Sequence, residues 1–377
     1  MKWEKVKLGN VTDSCLGKML DQNKNKGDYQ PYLANVNVRW GEFDLEDLPL
    51  MKFEESEQER YELKYGDLVI CEGGEPGRCA IWKEQIPNMK IQKALHRVRV
   101  HDCLDYRYLF YWFLLAGKTG ELDQYFTGAT IKHMPGQKLK EVVIDKPPLE
   151  IQHRIADILS AYDDLIENNQ KQIKLLEEAA RRLYKEWFVD LRFPGHENTK
   201  IVDGVPEGWS RTNINEILTF HRGYDLTKNE MKAGRYPVVG STTVIGYHNE
   251  FKIKGPGIVT GRSGSLGKYQ FIWDNFWPHN TSLYISDYKD HNIFFVYSLL
   301  QTVDFASLNN GGAIPTLNRN VLSNIEVIEP TDELQEMFAK IAEPQYQKIK
   351  NLEKQNDKLK TARDLLLPKF MSGEVEV

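Results

Sequence analysis

Pro148–Phe188, PLEIQHRIADILSAYDDLIENNQKQIKLLEEAARRLYKEWF, lies mid-chain, carries no glycine and has its one proline at its first position. Apolar residues recur at Ile155, Ile158, Tyr162, Leu165, Ile173, Leu176, Ala180, Leu183 and Trp187. Steps of three and four trace one stripe down a helix. About 40 residues at about 1.5 Å each make a rod of about 60 Å. The stripe is narrow and the other faces are polar, so the helix needs a partner helix rather than a surrounding core. Pro330–Met371, PTDELQEMFAKIAEPQYQKIKNLEKQNDKLKTARDLLLPKFM, has the same design. Shifted by about 183 residues, Ile151 falls on Leu334, Gln152 on Gln335, Ile155 on Phe338, Ile158 on Ile341 and Leu176 on Leu359. The chain therefore reads as an internal duplication, each half a globular unit followed by a long helix. The spacing predicts an antiparallel coiled coil. Ile155, Ile158, Tyr162, Leu165, Asn169, Ile173, Leu176 and Leu183 would meet Phe338, Ile341, Ile349, Leu352, Leu359 and Leu366. Asn169 and Asn356 would fix its register, and Pro344 would kink the second helix.

Working outward, the expected divisions are 1–147 and 198–329 as the globular parts, with 148–197 and 330–377 as helix and linker. Both globular parts read as strand-rich α+β units in pseudo-twofold relation. In the first, Asn35–Gly41 alternates like a strand. Tyr65-Gly-Asp-Leu-Val-Ile-Cys feeds another strand, Leu95–Val100 is a third, Tyr106–Leu115 is a buried helix, and Glu141–Ile144 is the last strand. The second repeats this order. Lys254–Lys268 answers Tyr65–Arg78, Trp273 answers Trp82, Asn292–Leu300 answers the buried helix, and Ile325–Ile328 answers the last strand. His196–Val205 reads as a polar linker.

The chain has 377 residues and a net charge of −5, against a protein that coats nucleic acid without specificity. Local basic runs remain, notably Lys83, Lys90, Lys93, Arg97 and Arg99, while Glu42–Glu62 is acidic. No apolar run is long enough to span a membrane, and MKWEKVKLG has no apolar signal segment, so a cytoplasmic location is expected. Cys15, Cys71, Cys79 and Cys103 have no metal-site spacing and read as buried thiols.

No catalytic centre and no metal site are expected. Gly261-Arg-Ser-Gly-Ser-Leu-Gly-Lys fails as a phosphate loop: its spacing is wrong, and Tyr269 stands where Ser or Thr is required. Two readings remain: a structural turn between two strands, or a turn whose glycines let the backbone approach a DNA phosphate while Arg262, Ser263 and Lys268 contact it. Asp145-Lys-Pro-Pro-Leu lacks the aromatic residue of a methyltransferase loop and fits a helix entry.

Together these stretches resemble the specificity subunit of type I restriction–modification systems over almost the whole chain. The most specific parts are Pro147–Leu159, Leu183–Asp190, Gly128-Ala-Thr-Ile, Gly312-Ala-Ile-Pro and Leu365–Val375. The resemblance implies a non-enzymatic subunit with two target recognition domains, each reading one half of a split, asymmetric DNA site. It implies no cofactor on this chain. Two modification subunits would supply S-adenosylmethionine and methylate adenine N6, and restriction (motor-nuclease) subunits would bring ATP and Mg. The expected DNA contacts are Arg78, Lys90, Gln92, Lys93, Lys132 and His133 in the first head. In the second they are Arg222, Arg262, Ser263, Lys268, His279, Asn280, Asn318 and Arg319. The rival is an adaptor whose duplicated heads bind protein. The basic runs at Lys90–Arg99 and Lys252–Lys268 weigh against it.

Overall fold

The computed structural model describes residues 3–21, 25–262, 267–303 and 325–376. The chain falls into two compact units, Met1–Asn168 with Gln355–Val377, and Asn169–Lys354.

In the first unit an antiparallel sheet runs in the order β2 (Thr12–Leu16), β8 (Leu95–Val100), β5 (Leu68–Cys71), β6 (Cys79–Ile81). A second sheet runs β4 (Leu50–Phe53), β3 (Asp28–Leu33), β7 (Lys90–Ile91), and its β3·β7 pair is parallel. β1 (Glu4–Lys7) pairs antiparallel with β9 (Val143–Lys146). Helix α1 (Tyr106–Thr119) is started by Asp105, whose carboxylate accepts from the Arg107 and Tyr108 amides, and ended by Gly120 at φ 76°. Its residues Tyr108–Leu114 are all buried. Helix α2 (Leu149–Tyr184) follows β9.

The second unit repeats the plan. After the hairpin β10 (Ile201–Val202)–β11 (Val205–Pro206) come β12 (Ser210–Asn213), β13 (Thr219–Arg222), β14 (Tyr236–Val239), β15 (Val244–His248), β16 (Gly257–Gly261), β17 (Tyr269–Ile272), β18 (Trp277–Pro278), β19 (Ser282–Asp287) and β20 (Glu326–Glu329). The sheets are β13-β19-β16-β17, β15-β14-β18 with β14·β18 parallel, and β12-β20. Strand for strand this is the first unit's topology. Helix α3 (Ile293–Thr302) stands where α1 stood, capped by Asn292, and α4 (Asp332–Ser372) is the second long helix. The sequence offset is 206 from Glu4 to Ser210 but 183 from Val143 to Glu326. The first head is longer chiefly between β3 and β4, residues 34–49, where the second has only 240–243.

Within each unit the long helices pair antiparallel. In the first, Ile155, Ala156 and Leu159 near the start of α2 share a core with Leu367, Phe370 and Met371 near the end of α4. One turn further along, Arg363 binds Asp163, which also accepts from the Tyr111 hydroxyl at 2.6 Å. In the second, the order reverses: Ala180 and Tyr184 late in α2 pack with Phe338, Ala342 and Tyr346 early in α4. α2 ends in a π turn, Lys185–Val189, that turns Trp187 and Phe188 inward. Their rings lie 6.1 and 5.3 Å from Phe338.

A matched pair of buried glutamines ties each long helix to its head. Gln152 accepts from the Asp105 amide at 2.8 Å and donates to the Pro147 and Cys103 carbonyls at 2.8 and 3.2 Å. Gln335 accepts from the Asn292 amide at 3.4 Å and donates to Pro330 at 3.2 Å.

Three expectations are corrected. Ile158, Leu165 and Ile341 are 38%, 48% and 43% exposed, while their neighbours Leu159 and Ile166 are buried. Where two apolar residues adjoin, a stripe of threes and fours does not say which of them faces inward, and the helical period drifts against it. Pro344 lies inside the continuous span of α4, with Phe338, Ala342, Tyr346 and Ile349 packed on either side of it. Asn35–Gly41 is no strand: Asn35–Asn37 is a 3-10 turn, and Asn37 accepts from the Ala34 amide and donates to Asp44 O, offering the backbone a loop in place of a ladder. Of the thiols, Cys71 and Cys79 are buried, but Cys103 is exposed and Cys15 intermediate.

Candidate nucleic-acid interface

In each head, loops from both sheets meet where the parallel pair gives way to the antiparallel sheet. In the first head, Gly17 N donates to Leu95 O at 2.9 Å, Lys93 N to Lys18 O at 2.8 Å, Glu72 N to Ala94 O at 2.8 Å and Gln92 N to Leu33 O at 3.0 Å. Asn35 Nδ2 donates to Gly73 O at 2.9 Å. The second head repeats three of the four backbone bonds. Gly223 N donates to Ser282 O at 3.1 Å, Arg262 N to Thr281 O at 3.2 Å and His279 N to Val239 O at 2.9 Å. Ser241 Oγ donates to Thr281 O at 2.7 Å. A Cβ on Gly17 would lie 2.4 Å from the Gln92 carbonyl, and one on Gly223 2.1 Å from His279 O. Only glycine lets the chains approach this closely.

These bonds set up a residue-by-residue correspondence: Lys18 with Tyr224, Glu72 with Arg262, Gln92 with His279, Lys93 with Asn280. Of the residues expected to meet DNA, Gln92, Lys93, Arg262, His279 and Asn280 all fall on this junction. His133 joins it in the first head through a backbone bridge to Gly73 and an imidazole against that glycine. Lys132, next to it, is exposed and 3.4 Å from Asp123. In the second head Asp225 gathers two of them: Asn280 donates to it, and Arg222 lies 3.7 Å away. His279 uses both ring nitrogens, Nδ1 at 2.9 Å from Thr281 Oγ1 and Nε2 at 3.2 Å from Leu226 O. Lys268 is exposed beyond β16. Ser263, Asn318 and Arg319 lie outside the described residues.

Two expected contacts are corrected. Lys90 is fully buried and its ammonium is 3.0 Å from Glu62, so it offers a duplex no surface. Arg78 braces the junction from within, donating to Glu75 at 3.1 Å and to Asn35 O and Oδ1 at 3.1 and 3.0 Å. The basic run is mostly engaged within the protein. Lys83 binds Glu167 at 2.6 Å, Arg97 donates to the Glu59 and Glu62 carbonyls, and Arg99 makes two 2.7 Å bonds to Asp67. Lys93 alone of the five is exposed without a side-chain partner among the described residues. Composition counts charges but not their partners. Sequence reasoning missed Asn35, Glu72, Asp225 and Ser241, whose place at the junction depends on strand order.

The described residues contain no cluster of His, Cys, Asp and Glu able to hold a metal ion. Burial pushes the Cys71 thiol up to about 11 and Cys79 well above its ordinary value, so neither is a nucleophile at neutral pH. No helix among the described residues is long and apolar enough to cross a membrane.

The architecture is one α+β head built twice, each with its own seam between the two long helices. A family model described as the type I restriction modification DNA specificity domain matches residues 1–178 and 206–361, once in each half. The chain belongs to this family. It is a specificity subunit, the non-catalytic component concerned with DNA sequence recognition. The MjaIX specificity subunit of Methanocaldococcus jannaschii is 29% identical over 342 residues, 83% of this chain and 78% of that one. The MjaVIII specificity subunit of the same organism is 28% identical over 227 residues, 59% of this chain and 50% of that one. The crystal structure of the S subunit from M. genitalium is similar in fold, with a TM-score of 0.61 at 20% identity, over 98% of this chain and 96% of that one.

Proposed function

We propose that each head reads one half of a bipartite, asymmetric DNA site through its loop junction. The carrying observation is the twin junction: one backbone framework built twice, with different side chains at matched seats. A framework of fixed hydrogen bonds with variable side chains suits a reader of bases, because phosphates are the same at every step and base edges are not. The paired long helices, shared by both units, act as the ruler for the unread gap. The chain docks two modification subunits, which hold S-adenosylmethionine and methylate adenine N6, and restriction subunits that cleave with ATP and Mg. It binds none of these cofactors itself and works in the cytoplasm.

The test starts from the methylome of cells carrying the chain with its modification subunits, which gives the site. Duplexes with either half scrambled are then compared for binding to the purified complex at fixed salt. Each scrambled half should weaken binding, and scrambling both should leave only the salt-sensitive non-specific affinity. Equal binding to every duplex would favour the protein-binding adaptor instead.

A further inference from the structure

Glu72 and Arg262 occupy one seat in the two heads with opposite charge. Each follows directly on its strand, after Cys71 paired to Leu95 and after Gly261 paired to Ser282. Each donates its amide to the carbonyl three residues beyond its head's Lys90–Ile91 or Trp277–Pro278 strand, Ala94 O or Thr281 O. The side chains therefore leave matched points of matched ladders. Both residues are partly exposed, and neither side chain has a hydrogen bond or ion pair among the described residues. His96, behind Glu72, is held below its ordinary pKa by burial and so does not neutralise the carboxylate.

We infer that Glu72 accepts a hydrogen bond from the exocyclic amino group of a cytosine or adenine, and that Arg262 donates to the edge of a guanine. The inference rests on the proposal that each head reads one half-site. A seat that anchored phosphate would need a donor in both heads, and a carboxylate there would be repelled. A base edge accommodates either sign. In the major groove cytosine N4 and adenine N6 are donors that a carboxylate can meet, while guanine O6 and N7 match the guanidinium fork.

The experiment uses the full chain in complex with its modification subunits. Methylome sequencing and competition binding, with all four bases placed at each position of the site, are run for wild type, Glu72→Ala and Arg262→Ala. Glu72→Ala should lower the preference at one position of one half-site, where wild type selects cytosine or adenine, by about 10- to 100-fold. Arg262→Ala should do the same at one guanine of the other half-site. Should Glu72→Ala fold poorly, Glu72→Gln keeps the shape without the charge and should alter selection at that same position. A uniform loss across all duplexes with a reduced salt slope, or a guanine or thymine at the Glu72 position, would overturn the inference. A wild-type complex without any sequence preference would instead refute the half-site reading beneath it.

Discussion

The first head buries lysines where the second packs aromatic rings. Lys90 sits in the short parallel strand against Glu62, and Lys18, 3% exposed at its side chain, binds Glu57 at 2.5 Å and the Lys52 carbonyl at 2.8 Å. The matched seats in the second head hold Trp277 and Tyr224, with Lys252 Nζ lying over both rings at 4.7 and 5.8 Å. The carboxylates that allow the lysines inside come from the connection between β4 and β5, residues 54–67, which is only 249–256 in the second head. Strand pairing fixes the topology, and the interior chemistry is then free to change. The condition is that every buried charge brings its partner, and the longer loop is where the partner comes from.

The largest effect should separate the two helix seams. Phe338 and Ile155 hold the same place in the repeat, but Phe338 stands amid Tyr184, Trp187 and Phe188. Phe338→Ala should destabilise by about 3–5 kcal/mol and Ile155→Ala by about 2–4 kcal/mol in denaturant unfolding. Equal, small losses would mean the seam is not a core. Next, Glu62→Ala leaves Lys90 buried and unpaired. A loss of about 2–4 kcal/mol is expected, somewhat under the figure for fully buried pairs because Glu62 is partly exposed. Charge removal at Lys252, which pairs with rings rather than a carboxylate, should cost about 1 kcal/mol or less. Gln152→Leu strands an amide and two carbonyls and should cost about 1–3 kcal/mol, more than Gln335→Leu, whose bonds are fewer and longer.

The smallest effect is a pH dependence confined to the first head. Burial lowers the His96 pKa from 6.5, so the unfolded chain binds the proton more readily than the folded one. Stability should therefore fall as pH drops below about 6.5, down to the folded-state value. Leu283 takes this seat in the second head. Comparing the unfolding midpoint of wild type and His96→Leu at about pH 7 and about pH 5.5 isolates the term. The gap between them should narrow, or reverse, at the lower pH; a constant gap would contradict it.

The duplication, the long helices and the buried helix α1 were legible in sequence because they depend on spacing within one segment. The glutamine pair was visible as a coincidence, Gln152 on Gln335, though not its purpose. What sequence could not supply was anything set by pairing across the chain. Ile158 and Leu159 are both apolar, and packing chooses the second. Lys90 and Glu62 lie 28 positions apart, and only the β7 fold-back brings them together. In sequence Glu72 and Arg262 share neither charge nor the 183-residue offset of the long helices. Their status as twins emerged only once the ladders had been aligned.

The central claim, that each head reads its own half-site, is tested most directly by exchanging residues 206–325 for the corresponding part of a relative and sequencing the methylome with the modification subunits present. The account predicts that one half of the methylated sequence changes, while the other half and the gap between them stay as in wild type. A swap that altered both half-sites, or neither, would contradict it.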